Sequence, residues 1–113
     1  MKYMMLICAD ESVVPSAAEQ AEVPAATEAW VNEMDANGVH LMGNQLQPVQ
    51  DATTVRVRDG EVLVADGPFA ETKEQIAGFD VIDCSDLDQA IEVAARHPVA
   101  RYGSIEVRPF WQP

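Results

Sequence analysis

Basic residues are scarce in this chain. Seven Lys and Arg stand against 19 Asp and Glu in 113 residues, for a formal net charge of -12. Lys2, Arg56, Arg58, Lys73, Arg96, Arg101 and Arg108 are scattered, and none forms a run. Phosphate recognition needs clustered Lys and Arg, so the balance argues against nucleic acid and against an anionic membrane surface. Cysteine is limited to Cys8 and Cys84, each at the end of an apolar run. In a chain without a secretion signal these are expected to be buried free thiols rather than a disulfide. The two His lie far apart, no Cys-x-x-Cys occurs and no Asp-rich loop has calcium spacing, so no metal is expected. A Gly-rich phosphate loop and a Gly-x-Ser-x-Gly elbow are also missing. The opening apolar stretch, Tyr3 to Ala9, is too short for a membrane span and lacks a leader's cleavage site. It reads as a first strand. These absences leave one cytoplasmic domain over residues 1–113, with a 48% hydrophobic composition and an acidic surface.

The local signals that remain are strong. Lys2 to Cys8 reads as a central strand, apolar on both faces. Ser16-Ala-Ala-Glu19 matches a capping box at a helix start. Pro24 either kinks that helix or begins a second segment. Ala26, Trp30, Val31 and Met34 fall at helical spacing, and Asn37-Gly38 supplies a stop with a glycine suited to a left-handed cap. Val39 to Met42 is a short strand, followed by an expected loop from Gly43 to Asp51. Thr53 to Arg58 alternates into Asp59-Gly60, a two-residue hairpin turn, and Glu61 to Ala65 returns. Ile76 to Cys84 is the next strand. Ser85 is expected to cap a second helix with Leu87, Ile91, Ala94 and Ala95 on its apolar stripe and Arg96 and His97 in its last turn. Pro98 stops it, and Gly103 to Pro109 is a final strand.

This order predicts an α+β fold of the βαββαβ type with an extra hairpin. Both helices cover one sheet face. The other face must bury its apolar side chains, and a second copy of the chain is the economical cover, so a homodimer is expected.

One segment stands out: Asp66-Gly67-Pro68-Phe69, followed by Ala70-Glu71-Thr72-Lys73-Glu74. Gly admits positive φ, and Pro fixes its own φ and lacks an N–H, so the chain bends between two strands with polar groups crowded behind the bend. With this segment go Met1 to Ile7, Gly78-Phe79, Asp86 to Ile91, Ala94 to Pro98 and Gly103 to Pro109. On these residues the chain resembles the YCII-related superfamily, in its DGPF-domain branch, over nearly its whole length. The resemblance implies a ferredoxin-like fold assembled as a dimeric α+β barrel, and for some members a gene beside an extracytoplasmic-function sigma factor. One relative in the wider superfamily is a dehydrochlorinase that acts on a chlorinated hydroxyquinol with a His and an Asp and no cofactor. Its His belongs to the first helix region and its Asp to an Asp-Pro after the second helix. Here the first helix holds Glu28 and Trp30, and His97-Pro98 stands at the Asp-Pro position.

Two functions follow from these readings. The first is small-molecule binding in a cleft, in a sigma-factor-linked regulatory context. The alternative is a cofactor-independent lyase or isomerase on a small aromatic substrate. For either, His97 and Asp66 are the candidate catalytic pair, and Phe69, Glu71, Lys73 and Phe79 the candidate substrate-binding groups. His97 titrates near neutrality when unperturbed, but equally suits a helix end stabilised by the dipole. Asp66 is either a turn residue bonding its own backbone or an acid facing a pocket. Glu71, Lys73 and Glu74 either bind a polar ligand or form a solvated ion-pair cluster. His40, between Val39 and Leu41, is expected to alternate outward as a surface or cleft residue.

Overall fold

A computed structural model describes residues 1–113 and contains six strands and two helices. Strand β1 (Lys2–Ala9) leads to helix α1 (Ala17–Ala36), then β2 (His40–Gln45). The hairpin β3 (Thr53–Arg58) and β4 (Glu61–Asp66) follows, then β5 (Gln75–Asp83), α2 (Leu87–Ala95) and β6 (Ser104–Pro109). The main sheet is antiparallel throughout, in the order β2-β5-β1-β6, and β3-β4 pair separately. Without the inserted hairpin this is the ferredoxin-like arrangement of two crossed βαβ units.

Local chemistry explains most boundaries. Ser16 caps α1: its hydroxyl accepts from the Glu19 N–H while the Glu19 carboxylate reaches back. The helix runs unbroken through Pro24, so no second segment begins there. Gly38, at φ 71°, turns the chain out of it. Asp59 and Gly60 both take positive φ, 51° and 78°, as a two-residue hairpin turn demands. At α2 the cap is Asp86, whose carboxylate accepts from the Gln89 N–H at 2.9 Å. Ser85, the expected cap, instead bonds the Gln89 side chain through its N–H and hydroxyl. The expected loop after Met42 begins three residues later, because Gly43, Asn44 and Gln45 stay paired with β5.

Register places the core. Tyr3, Met5 and Ile7 of β1 lie opposite Ile82, Asp80 and Gly78 of β5, on the face the helices cover. They pack with Trp30 and Met34 of α1 and with Ala90, Val93 and Ala94 of α2. Alternation sends Met4, Leu6 and Val81 to the other face, which carries no helix. The molecule is accordingly flat, 47 × 45 × 18 Å. The hairpin pairs apart from the main sheet, and Val55, Val57, Val62 and Val64 are each more than half exposed. Both cysteines are free, with Cys84 buried and Cys8 half-buried, and burial pushes both thiols up, which disfavours the nucleophilic thiolate.

Candidate functional site

Between α1 and the helix-covered face of the sheet lies a cavity of about 580 Å³. Ile7, Val23, Val31 and Val99 give it apolar walls, and Thr27, Glu28, His40, Asp80, His97 and Tyr102 supply polar and ionisable groups. The sheet position of Asp80 is unusual. It faces Met5 across β1 and Gly43 across β2, in the row where the core places apolar side chains, and it is 8% exposed. A carboxylate there needs a partner, since burying it unpaired costs several kcal/mol by the usual ion desolvation, roughly.

His40 is that partner. Its Nε2 lies 2.8 Å from Asp80 Oδ1, and its Nδ1 lies 2.9 Å from Asp35 Oδ1 near the end of α1. An irregularity between His40 and Met42 sets this up: His40 opposes Ile82, Met42 opposes Val81, and Leu41 drops out of register. His40 and Gly43 therefore both face the helices. Of the two expectations for His40, the outward surface residue is corrected, because its side chain is only 8% exposed, whereas the cleft position agrees with its place on the cavity wall. Hydrogen bonds through both contacts require protons on both ring nitrogens or one on a carboxyl group. His40 thus has no nitrogen left for a ligand, and its work is to hold Asp80. Gly43 makes the room: a Cβ there would sit 2.0 Å from Asp80 Oδ1.

Asp80 Oδ2 has no protein partner. No side-chain oxygen or nitrogen in the protein is both sealed from solvent and unpartnered, so Oδ2 keeps some exposure in a residue that borders the cavity. Burial pushes the Asp80 carboxyl above its ordinary value, and the hydrogen bond and charge of His40 pull partly the other way.

Trp30 organises the rest. Its Nε1–H donates to the Val93 carbonyl at 3.0 Å, tying α1 to α2. The indole then meets both imidazoles edge-on, His40 at 5.7 Å and His97 at 4.9 Å between ring centroids. His97 lies beyond the end of α2, not in its last turn, and caps the short 3-10 turn Pro98–Arg101 by accepting from the Val99 N–H at 3.1 Å. It is 4% exposed, and burial lowers its pKa to about 4. Dipole stabilisation of the charged ring would move it the opposite way.

Of the candidate catalytic and substrate-binding residues, His97 and Phe79 border the cavity. Phe79 does so from β5, where it pairs with Leu6 and Asn44, so alternation sends its side chain to the opposite sheet face. Asp66 lies exposed at the end of β4, paired with Thr53, and does not meet His97. Phe69 is 74% exposed. Glu71 and Lys73 border a separate, open depression with Asp10 and Glu11, and no ion pair forms among Glu71, Lys73 and Glu74. Instead the bend is knitted to the hairpin base. The Gly67 N–H donates to the Ala52 carbonyl at 2.8 Å, and the Thr54 hydroxyl donates to the Gly67 carbonyl at 2.8 Å. Gly67 takes φ 101°, which favours glycine there. Gln75 then spans the following loop, donating to the carbonyls of Ala70 and Thr72. No group of three or more His, Cys, Asp or Glu side chains has metal-binding geometry.

The model of the YCII-related domain matches residues 1–112. The chain belongs to the YCII-related family. It is also 51% identical over 67 residues to an uncharacterized protein of Rhizobium meliloti (strain 1021), an alignment covering 58% of this chain and 54% of the relative. It thus spans about half the length of the curated relative it matches. The family's ferredoxin-like α+β fold is the one described above. No helix is long and apolar enough to cross a membrane.

Proposed function

We propose that this YCII-related protein binds a small, mainly apolar molecule in the cavity beneath α1, and that Asp80 gives or takes a proton on it. The observation that carries the reading is the free Oδ2 of a buried carboxyl whose other oxygen is fixed by His40. A purely structural ion pair has no need of a roomy apolar chamber beside it. Asp80 is the catalytic residue in this reading, and His40 and Asp35 are positioning residues behind it. The chemistry fits a cofactor-independent lyase or isomerase, in which one carboxyl removes a proton and returns it. His97 takes no part as a base.

The open sheet face and the exposed valines of the hairpin support a homodimer, because a two-stranded hairpin is marginal alone and an apolar face of this kind seeks cover. A cytoplasmic location and a sigma-factor-linked setting belong to the same proposal, on the family resemblance.

The test is metabolite capture. Protein purified from cells is denatured, and the released small molecules are compared with those from Thr27→Trp, which fills the cavity. At least one molecule should accompany the wild type and be lost from the variant. Asp80→Asn should retain it but fail to transform it. Identical profiles from wild type and Thr27→Trp would overturn the reading.

A further inference from the structure

His97 bonds the protein through one ring nitrogen and leaves the other unpartnered in a residue that borders the cavity. Nδ1 accepts the Val99 N–H, so it carries no proton, and the proton of the neutral ring must lie on Nε2. No protein group accepts from Nε2. Since no buried side-chain nitrogen is sealed off without a partner, this one is accessible, in a residue that is 4% exposed and borders the cavity. The edge contact with Trp30 and the capping bond fix the ring's orientation. The result is a donor of fixed direction inside an apolar chamber.

The charges around the chamber narrow what it can meet. Glu28, Asp80, His40, Tyr102 and His97 are the titratable groups on its walls, and Asp35 stands behind His40. No Lys or Arg lines it. A carboxylate or phosphate entering would face carboxyl groups with no Lys or Arg to offset them.

On the small-molecule reading above, we infer that His97 is a neutral hydrogen-bond donor to the ligand, and that the cavity excludes anions and takes molecules with an apolar body and an accepting oxygen of the carbonyl type. Asp80 and His97 then divide the work. The carboxyl removes a proton from the carbon next to the carbonyl, and the pair of electrons left behind moves onto the oxygen that Nε2–H already holds. Return of the proton from Asp80 to the same or a neighbouring carbon closes an isomerisation, with no oxidant or reductant needed. The neutral ring suits this role because it donates without placing a full positive charge in the chamber.

The experiment uses four probes on one skeleton: indane, 1-indanone, 1-aminoindane and indane-1-carboxylate. Their binding to the full chain is measured by amide chemical-shift titration. The inference predicts that 1-indanone binds about tenfold more tightly than indane, the gain of one hydrogen bond in a dry site, and that indane-1-carboxylate binds most weakly. His97→Phe should erase the advantage of 1-indanone and leave indane unchanged. Nitrogen-15 spectra of the wild-type imidazoles test the same point without a variant. His97 should remain the Nε2–H tautomer from about pH 5 to 8, and 1-indanone should shift Nε2 more than Nδ1. Equal binding of indane and 1-indanone, or an Nδ1–H tautomer, overturns the inference while leaving the cavity reading standing. Failure of all four probes to reach the cavity overturns both.

Discussion

Gly43→Ala tests the geometry around Asp80 with a single methyl group. On the observed backbone that methyl would lie 2.0 Å from Asp80 Oδ1 and 2.7 Å from the Phe79 carbonyl oxygen. Neither is a tolerable contact, so the backbone or the carboxyl must move. The Phe79 carbonyl is fixed in the sheet, and the cheaper movement is rotation of Asp80 away from His40. That rotation leaves two buried polar groups without each other. Overpacking costs about 1–3 kcal/mol and breaking a buried pair costs about as much again, with partial overlap, so we expect a loss of about 2–4 kcal/mol. With a urea slope of about 1.5 kcal/mol/M, the unfolding midpoint should fall by roughly 2 M. The assay is urea denaturation of Gly43→Ala, Asp80→Ala and the double variant. Because one residue causes the strain in the other, the double variant should lose about 1–3 kcal/mol less than the two single losses together. Additive losses, or a Gly43→Ala protein within about 0.5 kcal/mol of wild type, would refute the packing argument.

The remaining predictions concern other parts of the same framework. His97 has a folded pKa of about 4 against 6.5 for the free group, so the unfolded chain binds its proton first. Its contribution to stability is complete above about pH 6.5 and is lost as pH falls toward 4, by about 3 kcal/mol at most. Asp80, whose folded pKa is raised, works the other way at lower pH by favouring the protonated folded state. Denaturation of His97→Phe across this range should lack the first component; an unchanged pH profile would contradict it. Trp30→Phe removes the 3.0 Å bond to the Val93 carbonyl and weakens two edge contacts, so calorimetry should report a loss of about 2–4 kcal/mol. Asp86→Ala should cost about 1 kcal/mol and Ser85→Ala clearly less, because Asp86 holds the cap bond; the reverse order in urea melts would contradict that assignment.

The fold was legible where local chemistry is decisive. The Ser16 capping box, the Asn37-Gly38 stop and the Asp59-Gly60 turn each depend on a few neighbouring residues, and each lies at an observed boundary. The site was less legible because its parts are remote. His40 and Asp80 are forty residues apart, and they meet only through the pairing of β2 with β5 and the slip at Leu41. Strict alternation sends His40 outward; the irregularity reverses it. Asp80 is hidden in an apolar run where one acid resembles a strand's exposed edge. A usable signal was present, since Gly78 and Asp80 interrupt the core row of a strand that otherwise buries Ile82. His97 was visible as a residue of interest, but its helix-end reading missed that Pro98 starts a new turn and drives the ring inward. The Asp66-Gly67-Pro68-Phe69 bend drew attention by its composition, and its hydrogen bonds close the base of the hairpin rather than face the cavity.

The most direct measurement of the central claim is an amide chemical-shift map of the labelled chain with 1-indanone. The account predicts saturable shifts confined to the cavity, at Thr27, Val31, Asp80, His97 and Val99. Shifts centred instead on Met4 and Leu6 of the open face, on the hairpin, or on Gly67 to Lys73 would contradict it.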